Sequence, residues 1–264
     1  VNGGAFFLTA AVSAAAVLVL ILATWFVGRA IGRFNVIDVA WGLGFVLVAW
    51  VAFARSAGHG DDTRRLVVAL LVTIGAGRLA VYIAWRGRGK GEDPRYADML
   101  AGHADPARRA LAIYLTQAVA IWFVSLPVMV AMFERSEPGV LFVVGVVVWA
   151  VGFGFESVGD WQLARFRADP ASVGKVMDRG LWRFTRHPNY FGDATMWWGI
   201  WLVAAQQWQG VVTVLSPVLM TWTLTRKTGK PLLEQSLAER RPGYRDYVER
   251  TSGFFPLPPR KRAA

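Results

Sequence analysis

Residues 139–162 read GVLFVVGVVVWAVGFGFESVGDWQ. The run is as long as a helix must be to cross a ~30 Å hydrocarbon layer, and it meets no charge before Glu156. Lipid offers no partner to a backbone N–H or C=O, so a segment of this kind folds as a helix. Near its end Glu156 and Asp160 fall four residues apart and share one stripe. Two carboxylates this close repel unless cations or donors sit between them.

Comparable runs lie near residues 6–27, 36–54, 65–85, 110–133, 190–204 and 210–225. The expected fold is therefore all-α: a polytopic integral membrane protein with seven transmembrane helices in one membrane domain over residues 1–264. The sixth span is the shortest, with Asp193 in its first turn and Gln206-Gln207 at its close. The first run exceeds a signal-peptide core and is expected to be retained as a span.

The formal charge of +11 does not indicate a nucleic-acid partner, because the cations are distributed by topology. Segments after spans one, three and five and the tail hold 24 of the 29 Lys and Arg residues. By the positive-inside rule the N-terminus is outside and the C-terminus cytoplasmic, as in a bacterial inner (plasma) membrane. Cysteine is absent, which removes disulfides, iron–sulfur clusters and thiolate zinc sites. His59, His103 and His187 fall in three different loops, so no protein-built metal site is expected.

Polar residues inside spans are costly and mostly functional, and here they gather at the cytoplasmic end. Asn35 and Asp38 open span two, Arg78 and Tyr82 are i,i+4 neighbours near the end of span three, and Asp38 is expected to pair with Arg78. Glu156 and Asp160 close span five, followed by Gln162, Arg165 and Arg167. Arg186-His187-Pro188-Asn189-Tyr190-Phe191-Gly192-Asp193 then carries a basic loop into span six. Pro188 suits a first helical turn, where its missing N–H is harmless. The tail adds a Gly229-Lys230-Pro231 turn, Glu234, Arg240-Arg241-Pro242-Gly243-Tyr244-Arg245-Asp246-Tyr247, and a proline-rich end from Phe254 to Pro259 that suits an interfacial cover. Together these elements are expected to wall a cytoplasm-facing pocket.

The stretch from Gly180 to Asp193, with Gly159-Asp160-Trp161-Gln162 before it and Tyr244-x-x-Tyr247 to Pro256 after it, resembles the DUF1295 family. That family is grouped with the C-terminal domain of steroid 5-alpha-reductases. The resemblance continues through Asn35-x-x-Asp38-x-x-Trp41-Gly42 and Glu92-Asp93-Pro94-Arg95-Tyr96. Sterol C14-reductases and isoprenylcysteine carboxyl methyltransferases share an Arg-His-Pro-x-Tyr element with it. The resemblance implies seven helices with the N-terminus outside. It also implies a lipid-substrate half over residues 1–135 and a cofactor half over 136–264.

By that likeness the cofactor is NADPH, and Asp160, Arg167 and Asn189 match family cofactor positions. Asp193 stands where most members have glutamate, and its shorter side chain has less reach. Arg167, Arg183, Arg186 and Arg245 supply guanidinium forks suited to phosphate. His187, Tyr190, Glu234, Tyr244 and Tyr247 complete the candidate cofactor set. Asp38 and Tyr82 are the nearest counterparts of the acid and tyrosine that polarise a substrate ketone, with Arg78 beside them. The implied reaction is NADPH-dependent reduction of a carbonyl-conjugated C=C bond in a steroid-like or isoprenoid-like lipid, an oxidoreductase acting on CH–CH groups. The rival is an S-adenosylmethionine-dependent membrane methyltransferase. A non-catalytic lipid-binding or transport protein is the third reading, disfavoured because no internal repeat or midplane charge pair is visible.

Overall fold

The computed structural model describes residues 3–227, 234, 241 and 243–260. Among them the fold is helical, with no strand and an isolated parallel bridge between Thr185 and Ser252. The Gly229-Lys230-Pro231 turn, Arg240 and Pro242 lie outside the described residues.

The elements in order are α1 (Gly3–Ile31), α2 (Ile37–Arg55), α3 (Asp62–Arg86), α4 (Pro94–Leu100), α5 (Pro106–Val124) and α6 (Leu126–Met132). They continue with α7 (Val140–Ala168), α8 (Pro188–Ala204), α9 (Trp208–Val211), α10 (Leu215–Trp222) and α11 (Tyr244–Arg250). Five segments are long and apolar enough to cross a membrane: Gly3–Ile31, Phe34–Arg55, Asp62–Arg86, Pro106–Met132 and Val140–Ala168. These coincide with the first five expected spans, and the chain is an integral membrane protein by their length and composition. The sixth run forms α8, only 17 residues long. The seventh is broken into α9, a 3-10 turn at Val212–Val214, α10 and a π turn at Thr223–Lys227.

Local chemistry sets the boundaries. Asp61 caps α3 by accepting from the Arg64 N–H, and Asp105 caps α5 from the Arg108 N–H at 3.0 Å. Pro106 follows at the first helical position, where it costs no hydrogen bond. The fourth span breaks between α5 and α6 because Pro127 lacks the N–H that would continue the ladder.

Two compact units emerge, one of residues 1–142 with 203–216, the other of 143–202 with 217–264. In the first, α1, α2, α3 and α5 form the core around Ile21, Phe45, Val48, Val68 and Ile121, all almost fully buried. Gly42 lets α2 close on the Ala76 carbonyl and Ala80 of α3, while Gly44 faces Ile121. In the second, α7 and α8 meet through glycines at seven-residue spacing: Gly145, Gly152 and Gly159 on one, Gly192 and Gly199 on the other. A Cβ on Gly152 would lie 2.6 Å from the Gly192 carbonyl oxygen, and one on Gly199 2.6 Å from the Trp149 nitrogen. The small residues bring the backbones into contact, as in membrane helix pairs generally. Gly154, two residues past Gly152 and off this register, meets nothing within 4 Å.

Candidate functional site

The close α7–α8 contact places the sequence-expected carboxylates against the start of α8. Glu156 and Asp160 are buried on α7, and Asn189 Nδ2 donates to Asp160 Oδ1 at 3.1 Å. The Asn189 side-chain oxygen accepts from the Tyr190 N–H, which fixes the amide's orientation in the first turn. Asp193 follows one turn later and is half-buried. Arg165 and Arg167 leave the end of α7 exposed, with the Arg165 guanidinium 5.7 Å from the Trp161 ring.

The connection from α7 to α8 is pinned back onto α7. Gln162 accepts from the Leu181 N–H at 3.0 Å, and Trp182 donates its indole N–H to the Gly159 carbonyl at 3.0 Å. Gly180 adopts φ +59 directly against Gln162, a conformation and a space that both exclude a Cβ. Tyr247 of α11 donates its hydroxyl to the Trp182 carbonyl, and Arg250 pairs with Asp178 at 3.0 Å. Burial first, then neighbouring Tyr244, holds the Tyr247 hydroxyl well above the usual tyrosine range.

Arg186 and His187 converge on Glu234. Arg186 Nε donates to Glu234 at 2.8 Å, and its Nη1 donates to the Val248 and Thr251 carbonyls. His187 Nε2 lies 3.0 Å from the same carboxylate, and its ring stacks on Tyr190 at 5.3 Å and 5°. Burial alone would raise the Glu234 pKa, but the hydrogen bonds from His187 and Arg186 outweigh it and hold it at about 2. Burial and the Glu234 charge push Tyr244 up to about 12. Four of the five Arg186 N–H donors are thus engaged within the protein. Of the other arginines in the expected cofactor set, Arg167, Arg183 and Arg245 are exposed.

The chain end lies over this junction. Thr185 donates its hydroxyl to the Phe254 carbonyl at 2.8 Å, Arg186 N–H donates to Ser252, and Leu257 N–H to Phe184. Phe254 and Phe255 meet Phe191 edge-on.

The early-helix candidates form a separate cluster in the first unit. The Asp38 carboxylate accepts from the Tyr96 hydroxyl at 2.6 Å and from Arg95 Nη2 at 3.0 Å, so the expected Arg78 partner is replaced by Arg95. Glu92 is the reason: it accepts from the Phe34 and Asn35 N–H groups and folds the α3–α5 connection onto the turn before α2. Arg95 also binds Asp93, and these two carboxylates outweigh its burial and raise its pKa. Burial and the Asp38 charge raise Tyr96 as well. Arg78 instead lies 5.9 Å from the Tyr82 ring, which Arg86 approaches at 5.5 Å. Sequence reading gave Tyr96 and Arg95 no role, although both stand in the Glu92-Asp93-Pro94-Arg95-Tyr96 motif.

The model of a family described as a protein of unknown function, DUF1295, matches residues 24–251. The chain belongs to the DUF1295 family. An uncharacterized protein of Schizosaccharomyces pombe is 24% identical to this DUF1295 chain over 233 residues, 75% of the chain and 65% of that protein. The steroid 5-alpha-reductase DET2 of Arabidopsis thaliana is 37% identical over 71 residues, 26% of each. The DUF1295 chain therefore matches under two thirds of either relative's length. No solved structure matches it.

Proposed function

We propose that the protein is a membrane-bound, NADPH-dependent reductase of a carbonyl-conjugated C=C bond in a steroid-like or isoprenoid-like lipid. The observation that carries this reading is the 37% identity over 71 residues to a steroid 5-alpha-reductase. The Asp160–Asn189 hydrogen bond at the α7–α8 crossing supports it, because it presents an oriented amide and carboxylate in a unit that also carries exposed arginines.

In this reading Asp160, Asn189, Tyr190, Asp193, Tyr244 and Tyr247 shape the cofactor site. Arg167, Arg183 and Arg245 meet its phosphates as planar donors. Arg186, His187 and Glu234 hold the start of α8 and α11 in register, which is a positioning task. NADPH supplies the hydride. An isolated alkene has no group to accept the developing charge, whereas an enone delivers it to oxygen. Asp38, Tyr82 and Arg78 are the groups assigned to polarise that oxygen and supply the proton. The cofactor side is the cytoplasmic one, by the distribution of Lys and Arg.

The test is NADPH oxidation by detergent-purified protein, followed at 340 nm with a panel of enone lipids and their saturated counterparts. Enone-dependent oxidation with mass-spectrometric gain of two hydrogens is the expected result. Transfer of a methyl group from S-adenosylmethionine to any lipid acceptor in the parallel assay would replace this reading.

A further inference from the structure

At the end of α2 and α3 away from Asp38, the first unit holds a second polar centre. The Arg64 side chain is fully buried there, donating to the Val203 carbonyl at 2.9 Å, the Ser136 carbonyl at 2.9 Å and Gln206 Oε1 at 3.2 Å. Glu134 pairs with it at 3.3 Å and accepts from the Ser136 hydroxyl at 2.6 Å. Breaking such a pair from either side strands a buried charge, so Glu134 is committed to Arg64.

Beside this pair lies a cavity of about 210 Å³ lined by Val130, Glu134, Arg135, Ser136, Gln207 and Gln209. Glu134 in the lining faces buried Arg64, and the lining's own cation is Arg135, which is exposed and donates Nε to the His59 carbonyl at 3.2 Å. Gln207 and Gln209 add amide donors. The volume suits a phosphate with a short polar substituent and falls below the ~300–1,000 Å³ of sites that enclose a whole drug-sized ligand. The chain that carries Gln207 and Gln209 is apolar and exposed beyond them: Trp208 is 69% exposed, and Val211, Val212 and Leu215 continue from it along the chain. Tryptophan is enriched at the headgroup level of a bilayer. A polar cavity with an exposed guanidinium and two amides, followed along the chain by an apolar strip, matches a molecule with a phosphate head and acyl chains.

We propose that this cavity binds the phosphodiester headgroup of a membrane phospholipid, with its chains along the Trp208–Leu215 face. The site is independent of the reductase reading, and it lies at the end that the charge distribution places outside.

Native mass spectrometry of the full chain in mild detergent tests it, with added phosphatidylglycerol, digalactosyldiacylglycerol or inorganic phosphate. One retained phosphatidylglycerol is expected, with Arg135→Ala weakening it about tenfold, as loss of a charge-assisted hydrogen bond would. Arg135→Lys should keep part of the binding, and Arg88→Ala, a distant exposed cation, should change nothing. Equal retention by Arg135→Ala and the native chain would overturn the site. Equal retention of the phosphate-free glycolipid would overturn the headgroup assignment. Displacement of the lipid by millimolar inorganic phosphate would reassign the cavity to a free anion.

Discussion

The Tyr96 hydroxyl donates to the Asp38 carboxylate across 2.6 Å, and Arg95 completes the contact from the same connection. Asp38 is therefore both a candidate catalytic carboxylate and the anchor of residues 87–105. Tyr96→Phe removes one hydrogen bond to a charged group and should lower stability by about 1–3 kcal/mol. Limited proteolysis should show faster cleavage between α3 and α5. Unchanged stability and protection would mean that Arg95 and Glu92 alone hold the connection.

Glu234 makes the second unit sensitive to acid. Its pKa of about 2 lies below the ordinary value of 4.5. A depressed carboxylate stabilises the fold above its unfolded pKa and loses that contribution as pH falls from about 4.5 towards 2. After allowance for solvent screening the contribution is on the order of 1–2 kcal/mol. Thermal midpoints of the native chain should fall over this window, whereas Glu234→Gln should be less stable at neutral pH and flatter below it. Parallel curves for the two proteins would show that Glu234 is not the responsible group.

The α7–α8 contact should tolerate no side chain at its centre. A Cβ on Gly192 would collide with the Glu156 nitrogen and the Gly152 carbonyl of α7. Gly192→Val should therefore abolish monodisperse expression, while Gly154→Ala, which meets nothing within 4 Å, should be neutral or slightly stabilising through better helix propensity. Size-exclusion profiles of the two variants separate these outcomes.

Cofactor and chemistry should separate by mutation. Tyr82→Phe should leave NADPH affinity intact and depress kcat by about 100-fold or more, the usual contribution of a positioned general acid. An unchanged kcat would remove Tyr82 from the chemistry and turn attention to Tyr96.

Much of this was legible in the sequence because membrane spans announce themselves by length and hydropathy. The first five matched to within a few residues, apart from the break at Pro127 in the fourth. Pro188 was also legible as the start of α8, since proline is suited to that position only. The short α8 and the broken run after Trp208 were harder: hydropathy counts apolar residues but does not register that Pro217 has no N–H to offer the ladder. Glycine spacing was visible at Gly152-x-Gly154 and Gly42-x-Gly44, but only contact geometry separates packed Gly152 from unpacked Gly154. The partners of Asp38 and Glu234 were not legible, because residues 57 and 47 positions away supply them through hydrogen bonds that leave no periodic trace.

The most direct measurement is calorimetric titration of the purified protein and its Asn189→Ala variant with NADPH, NADH and S-adenosylmethionine. The account predicts saturable binding of NADPH, weakened about tenfold by loss of the Asn189 amide, with the variant's thermal midpoint in the absence of cofactor near that of the native chain. Binding of S-adenosylmethionine alone, or no binding of NADPH by the folded native protein, would contradict it.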